Sequence, residues 1–350
     1  MTVAEGRSPS RSALRERGPW RARRVGGLVA LVVLLVLAVG ASLAVGANPV
    51  PPSAVWQGLL HPDRSEASLI VWTERMPRTA VGLLAGASFA VAGAVMQALT
   101  RNPLADPGLL GVNAGAGFAV TLGVGFFDLS GVSSYVWFAF LGAAIAAVLV
   151  YLIGSGGRRT ASPVTLVLAG VALGAVLGGI STFVSLLDPD TFRAVRSWGL
   201  GSIARTGIDD TLTVAPFLIV GLAIAFLLSA TLNTTALGDD LSASLGTSIV
   251  RTRVLGMVAV TLLAGGATAL TGGIAFLGLM TPHIVRLIVG PDQRWILAYS
   301  AIAAAALVLV ADVIGRLIAR PSEIEVGILI ALIGAPVLIA LVRRRRVAEL

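Results

Sequence analysis

The sequence contains no cysteine and no lysine in 350 residues, and its only histidines are His61 and His283. The lack of cysteine excludes disulfides, thiolate metal sites and thiol catalysis. The lack of lysine excludes the glycine-rich phosphate-binding loop that ends in Lys, so the chain does not hydrolyse ATP through that motif. Two isolated histidines do not make the clustered ligand set of a metal site. We therefore expect no catalytic residue, no metal site and no cofactor.

Charged side chains are also scarce. They make up 13% of the residues, against 56% hydrophobic residues and a mean hydropathy of +0.90, whereas soluble domains are about 25% charged. This composition predicts an all-α, polytopic membrane protein. The formal net charge of +8 comes entirely from arginine. In a membrane protein such an excess reports the orientation of the chain, and we expect no nucleic-acid partner.

Ten apolar runs are long enough to be membrane spans. They cover residues 25–45, 77–99, 108–126, 135–153, 162–187, 211–232, 254–270, 273–289, 295–318 and 326–342. Residues 1–24, with seven arginines, predict a disordered basic tail before an uncleaved first span, and residues 343–350 a second basic tail. Residues 25–342 are then the transmembrane domain. With 18 arginines on the inner side and 8 on the outer side, both termini are predicted to be cytoplasmic.

The eighth run carries polar residues that a simple bundle does not need. Pro282, His283 and Arg286 lie within an otherwise apolar stretch that begins at Gly272. Polar groups at membrane depth are costly and usually face protein or a water-filled path. The stretch therefore indicates a protein that moves a substrate. His283 is either a proton-relay group or a structural residue beside a proline kink, and the structural reading is the commoner one.

Two sites at the predicted outer face keep arginine. Arg75 and Arg78 flank Pro77, which is predicted to fix the start of the second span. They either extend toward the membrane interface or contact an acidic partner that docks from outside. Asp312 and Arg316 are four residues apart and so share one helix face. They form either a helix-end ion pair or a second docking contact, with Asp312 orienting Arg316.

The inner loop between the sixth and seventh spans predicts a short amphipathic helix. Leu237, Leu241 and Leu245 recur at four-residue spacing, and a glycine follows as the C-cap. An apolar face outside the bilayer needs a cover, either a soluble protein or lipid headgroups. We expect a protein partner at this helix, and the candidate contact residues are Asp239, Asp240, Leu241, Ser244, Leu245 and Gly246.

Several sequence blocks together resemble one family. The blocks are Arg75–Arg78, Gly93–Gln97, Arg101–Pro107, Leu110–Ala116, Gly273–Leu279, Pro282–Arg286 and Gly334–Pro336. They resemble the permease subunits of type II ABC importers, the FecCD-type, BtuC-like proteins that take up ferric siderophores, haem and vitamin B12. The resemblance covers about residues 25–345. One departure is Glu325, which stands where the family usually has proline.

The resemblance implies a ten-span permease that pairs with a second permease chain, identical or related, with the path along their interface. It implies two cytoplasmic ATPase subunits docked on the loop of residues 239–246. It also implies an extracytoplasmic binding protein, in some members a lipoprotein, whose glutamates contact Arg75, Arg78 and Arg316. Glu325 makes docking near the last span less certain. The implied location is the bacterial cytoplasmic membrane.

The sequence thus favours a non-enzymatic importer subunit for a ferric siderophore. Vitamin B12 or haem remains an alternative substrate within the same architecture. An ion-coupled secondary transporter, with Asp312 and His283 as coupling groups, remains an alternative of another class.

Overall fold

The computed structural model describes residues 17–129, 131–156 and 163–348. Within them the chain is helical and contains no strand. The helices, in chain order, are α1 (Arg17–Ala44), α2 (Pro52–Leu60), α3 (Glu66–Thr100), α4 (Val112–Phe127), α5 (Val132–Ser155), α6 (Pro163–Leu187), α7 (Pro189–Gly199), α8 (Ile208–Thr235), α9 (Asp239–Ser244), α10 (Ile249–Thr271), α11 (Leu277–Val289), α12 (Gln293–Ile318) and α13 (Val326–Ala348).

The predicted fold class is confirmed. Seven of these helices are long and apolar enough to cross a membrane, and three shorter apolar helices, α4, α11 and the apolar part of α13, bring the described set to ten. An even number of spans places both ends of the chain on the same side. The remaining helices α2, α7 and α9 are short connections outside the spans.

Helix α3 lies at the centre of the bundle. It packs against α12, α8, α11 and α10, and small residues permit the close approach. A Cβ added at Gly86 would lie 2.8 Å from the Cα of Ala305 in α12, and one at Gly93 would lie 1.8 Å from the carbonyl oxygen of Gly278. Gly86 and Gly93 therefore allow α3 to contact the backbones of two neighbouring helices.

The start of α3 differs from the sequence prediction. The helix begins at Glu66, eleven residues before Pro77, after Ser65 accepts the backbone N–H of Ser68 at 3.2 Å. A π-helical segment, Ile70–Arg75, shifts the hydrogen-bond register just before Pro77, whose nitrogen has no hydrogen to donate. The helix therefore continues through the proline, and Pro77 does not fix its start.

Other helix boundaries also differ from those predicted. Helix α2 lies before α3, and α7 lies between α6 and α8. Helix α11 begins at Leu277 rather than Gly273, because Gly272 ends α10 at φ +72° and the next residues are not helical. Helices α1 and α13 extend into the two predicted basic tails. Residues 1–16 of the predicted basic tail, and the predicted start of the fifth span at residue 162, lie outside the described residues.

Candidate functional site

Five charged side chains form a cluster at the outer ends of α3 and α12, which we call the outer cluster: Arg75, Arg78, Asp312, Arg316 and Glu323. Asp312 is its centre and is only 1% exposed. Its carboxylate accepts hydrogen bonds from Arg78 Nε at 3.0 Å and from Arg316 Nε at 2.9 Å. The ion pair predicted between Asp312 and Arg316 is therefore present, and Arg78 joins it from α3.

Arg75 and Arg316 cap the end of α1. Arg75 Nη1 donates to the carbonyl oxygens of Leu43 and Ala44 at 2.8 and 2.9 Å. Arg316 Nη1 donates to those of Ser42 and Val45 at 2.9 and 2.7 Å. The last four carbonyls of a helix lack partners within the helix, and a cation there also suits the helix dipole. These contacts give both arginines a structural role at α1.

The three arginines that we expected to contact a docking protein differ in how exposed their side chains are. Arg75 and Arg316 are buried, so neither reaches a docking protein in this conformation. The Arg78 side chain is 12% exposed and donates through Nη1 to Glu323, itself 32% exposed, at 2.7 Å. Glu325, the departure from the family pattern, pairs with Arg205 beyond α7. Sequence reasoning missed Glu323 and Arg205 as partners, because nothing local links positions so far apart.

The inner face presents α9, as predicted. Gly246 follows the helix at φ +82°, and its N–H donates to Ala243 while the N–H of Thr247 donates to Ser242. This pair of bonds is a Schellman C-cap, which bears out the glycine stop expected from the sequence. The buried Ser242 hydroxyl donates to the carbonyl of Thr234 in α8 at 2.7 Å. The short helix is thereby fixed to the end of α8.

Asp239 anchors α9 to two spans. One carboxylate oxygen accepts a hydrogen bond from Arg253 of α10 at 2.8 Å, and the other pairs with Arg101 at the end of α3. Arg101 in turn donates through Nε to the carbonyl of Thr235 at 2.9 Å. A displacement of α9 would therefore be transmitted to α3, α8 and α10.

The rest of α9 faces outward. Leu241 and Leu245 are 50% and 59% exposed, and Leu237 is equally exposed beside them. Asp240 and Ser244 are exposed too. We call Leu237, Leu241 and Leu245 the leucine face. Of the six candidate contact residues, Asp239 and Gly246 therefore hold α9 in place, and the others form an exposed surface.

Gln97, which the sequence did not single out as a functional residue, explains how α11 tolerates its proline. Pro282 has no N–H for the carbonyl of Gly278, four residues earlier. Gln97 Nε2 donates to that carbonyl at 3.4 Å and to the carbonyl of Leu279 at 3.1 Å. Its Oε1 accepts from Arg286 at 3.5 Å. His283 is buried in the same helix, which supports a structural role for this polar group.

The inner turn after α3 contains Asp106, a carboxylic acid whose pKa is shifted. Asp106 Oδ1 accepts the backbone N–H of Gly108 at 2.8 Å and so caps the short helical turn before α4. Burial raises the pKa of the Asp106 carboxyl above its ordinary value, against the opposing effect of that hydrogen bond. In the described part of the chain no three His, Cys, Asp or Glu side chains group as metal ligands.

Comparison with known proteins agrees with this architecture. The ferric enterobactin transport system permease protein FepD of Escherichia coli is 48% identical over 316 residues, covering 90% of this chain and 94% of the relative. The iron(3+)-hydroxamate import system permease protein FhuB of Bacillus subtilis is 38% identical over 335 residues, covering 93% and 86%. The hemin transport system permease protein HmuU of Yersinia pestis is 33% identical over 325 residues, covering 90% and 94%.

A solved structure shares the fold. It is described as an inward-facing conformation of a metal-chelate type ABC transporter, and it matches with a TM-score of 0.80 at 26% identity over 91% of this chain and 98% of that one. Residues 33–344 match the FecCD transport family. The match and the relatives confirm the resemblance seen in the sequence blocks: the chain is a multi-pass membrane protein and belongs to the FecCD transport family.

Proposed function

We propose that this chain is the permease subunit of an ATP-binding-cassette importer that moves a ferric siderophore across the bacterial cytoplasmic membrane. In this proposal it pairs with a second permease chain, two cytoplasmic ATPase subunits and an extracytoplasmic binding protein. The observation that carries the coupling part is the leucine face on α9, since α9 is tied through Asp239 to Arg101 and Arg253. An ATPase seated there would have a direct mechanical connection to three spans.

The substrate is proposed from the relatives. Ferric enterobactin and iron(3+)-hydroxamate appear in the names of two of them, and hemin in the name of a third. The higher identity to the enterobactin permease favours an iron chelate of siderophore type over haem. An ion-coupled mechanism through Asp312 is disfavoured, because two guanidinium groups hold that carboxylate in place.

Uptake by reconstituted vesicles tests the function. The permease, its ATPase and its binding protein, obtained from neighbouring genes, would be assembled in vesicles with ATP inside, and uptake of radioactive ferric siderophore would be measured. We expect uptake that requires ATP and the binding protein, with no uptake of haem or vitamin B12. Uptake driven by a proton gradient without the ATPase would contradict the proposal, and uptake of haem alone would change its substrate.

Docking of the binding protein is proposed to occur at Arg78. Its Nη1 bond to Glu323 lies at the rim of the outer cluster, where a glutamate of the partner could replace Glu323. Arg75 and Arg316 would support this contact from behind by holding α1 and Asp312. Charge-assisted contacts between arginine and carboxylate suit transient docking.

The Arg78→Gln variant is expected to bind the loaded binding protein about tenfold more weakly, a loss of about 1.4 kcal/mol. Arg64→Gln, which removes the same charge from an exposed site on the same face, is the matched control and should bind like the wild type. Surface plasmon resonance on the transporter in nanodiscs would measure both. Equal affinity of the two variants would argue against docking at Arg78.

A further inference from the structure

An apolar groove runs between α1, α11 and α12 and has a cavity volume of about 580 Å³. We call it the inner-leaflet groove. Its walls are almost entirely aliphatic, with Thr281 and Tyr299 as the polar exceptions. Residues that line it include Ala30, Leu34, Ile284, Ile288, Ala303 and Val310. Leu34 and Ile288 are exposed at its rim, so the groove opens sideways into the hydrocarbon of the membrane.

The length of the groove matches one leaflet. Along α12 it reaches from Tyr299 to Val310, and eleven residues at about 1.5 Å each give about 16 Å. Half of a hydrocarbon core of about 30 Å is about 15 Å. Because α12 begins at the inner face, the groove covers the depth of the inner leaflet and ends near the middle of the membrane. A single acyl chain has this depth and shape.

The inner end of the groove is basic and aromatic. The Tyr299 hydroxyl donates to the backbone carbonyl of Arg24, and the Arg24 guanidinium lies 5.9 Å from the ring centroid of Trp295. Arg23 is exposed one helical turn before Gly27, which lines the groove, so Arg23 lies on the groove face of α1. An exposed arginine at the cytoplasmic surface attracts anionic headgroups. Tyrosine and tryptophan are also the residues that favour headgroup depth.

We propose that the inner-leaflet groove binds one anionic phospholipid, with an acyl chain between α1, α11 and α12 and the headgroup on Arg23. The charge at the inner end selects an anionic over a zwitterionic lipid. The aliphatic walls hold the chain without regard to headgroup. This lipid would contact α1 and α11 together, which otherwise meet mainly through α12.

Lipid retention by the purified full-length protein tests this proposal. The protein would be exchanged into detergent with equal amounts of phosphatidylglycerol and phosphatidylcholine, and retained lipids would be counted by native mass spectrometry. We expect the wild type to retain phosphatidylglycerol at least fivefold over phosphatidylcholine. Ala30→Phe, which fills the groove from an exposed position, should abolish this retention. Ala230→Phe, at an exposed position of α8, is the matched control and should retain it.

A second variant separates charge from shape. Arg23→Gln is expected to abolish the preference for phosphatidylglycerol and to leave binding of phosphatidylcholine unchanged. The matched control, Arg251→Gln, removes another exposed inner arginine and should keep the preference. Equal retention of the two lipids by the wild type, or equal retention by both phenylalanine variants, would overturn the proposal. A change of oligomeric state in Ala30→Phe would overturn it as well, since the groove would then be a protein interface.

Discussion

Replacing Asp312 by asparagine should strongly lower the unfolding temperature of the protein. Asp312 is the only carboxylate that both Arg78 and Arg316 contact in the described structure, and Arg316 is buried. Removing one partner of a buried ion pair leaves an uncompensated charge and costs about 3–5 kcal/mol. Here a single substitution affects two guanidinium groups. Thermal unfolding in detergent, followed by intrinsic fluorescence, would measure the loss.

The matched control for Asp312→Asn is Glu323→Gln. It removes the same charge from the same cluster, but Glu323 is 32% exposed and contacts only Arg78 there. Exposed ion pairs contribute roughly 0–1 kcal/mol, so this variant should unfold close to the wild-type temperature. If the two variants prove equally stable, Asp312 is not the centre of the outer cluster.

Placing aspartate at both Leu241 and Leu245 should abolish ATP-driven transport while the permease stays folded. Both side chains are half exposed and lie on the leucine face, so their replacement disturbs little of the packing inside the chain. In a complex the change removes two apolar contacts and buries two carboxylates, and loss of a central contact costs about 2–4 kcal/mol. We expect ATPase binding to weaken at least a hundredfold.

Leu104→Asp is the control for the leucine face. Leu104 lies in the inner turn after α3, is similarly exposed and would receive the same charge. Pull-down of the ATPase and substrate-stimulated ATP hydrolysis in nanodiscs would be measured for both variants, with unfolding temperature as the check on folding. Unchanged ATPase pull-down and unchanged ATP hydrolysis in the double variant would show that α9 does not couple the ATPase to the permease.

A structural feature could be predicted from the sequence when the residues that cause it are close together in the chain. The stop of α9 rests on Gly246 and bonds within six residues, so the sequence contained the whole signal. The apolar spacing of the leucine face was equally readable. The partners of Asp239 were not, because Arg101 lies 138 residues away. The sequence therefore predicted where Asp239 lies, in a short helix, but not that Asp239 anchors this helix to the spans.

At the outer face as well, the sequence predicted the positions of residues but not their contacts. The sequence predicted that Arg75 and Arg316 lie near the outer surface, and the continuous apolar runs gave the spans that carry them. It could not show that α1 ends beside both side chains with its carbonyls unpaired. Only the packing of α1 on α3 and α12 reveals that these cations are buried caps.

The capping of α1 also has a consequence for how the protein is made. Arg316 lies 274 residues after the carbonyl of Ser42 that it contacts. At a synthesis rate of about 5–20 residues per second, this cap leaves the ribosome roughly 14–55 seconds after the helix end it serves. Until then the carbonyls of Ser42 and Val45 depend on water or on the insertion machinery, whereas Arg75 can already contact those of Leu43 and Ala44. A nascent chain halted before α12 is complete is thus left with its oldest segment unfinished, and quality-control proteases would meet it first at that end.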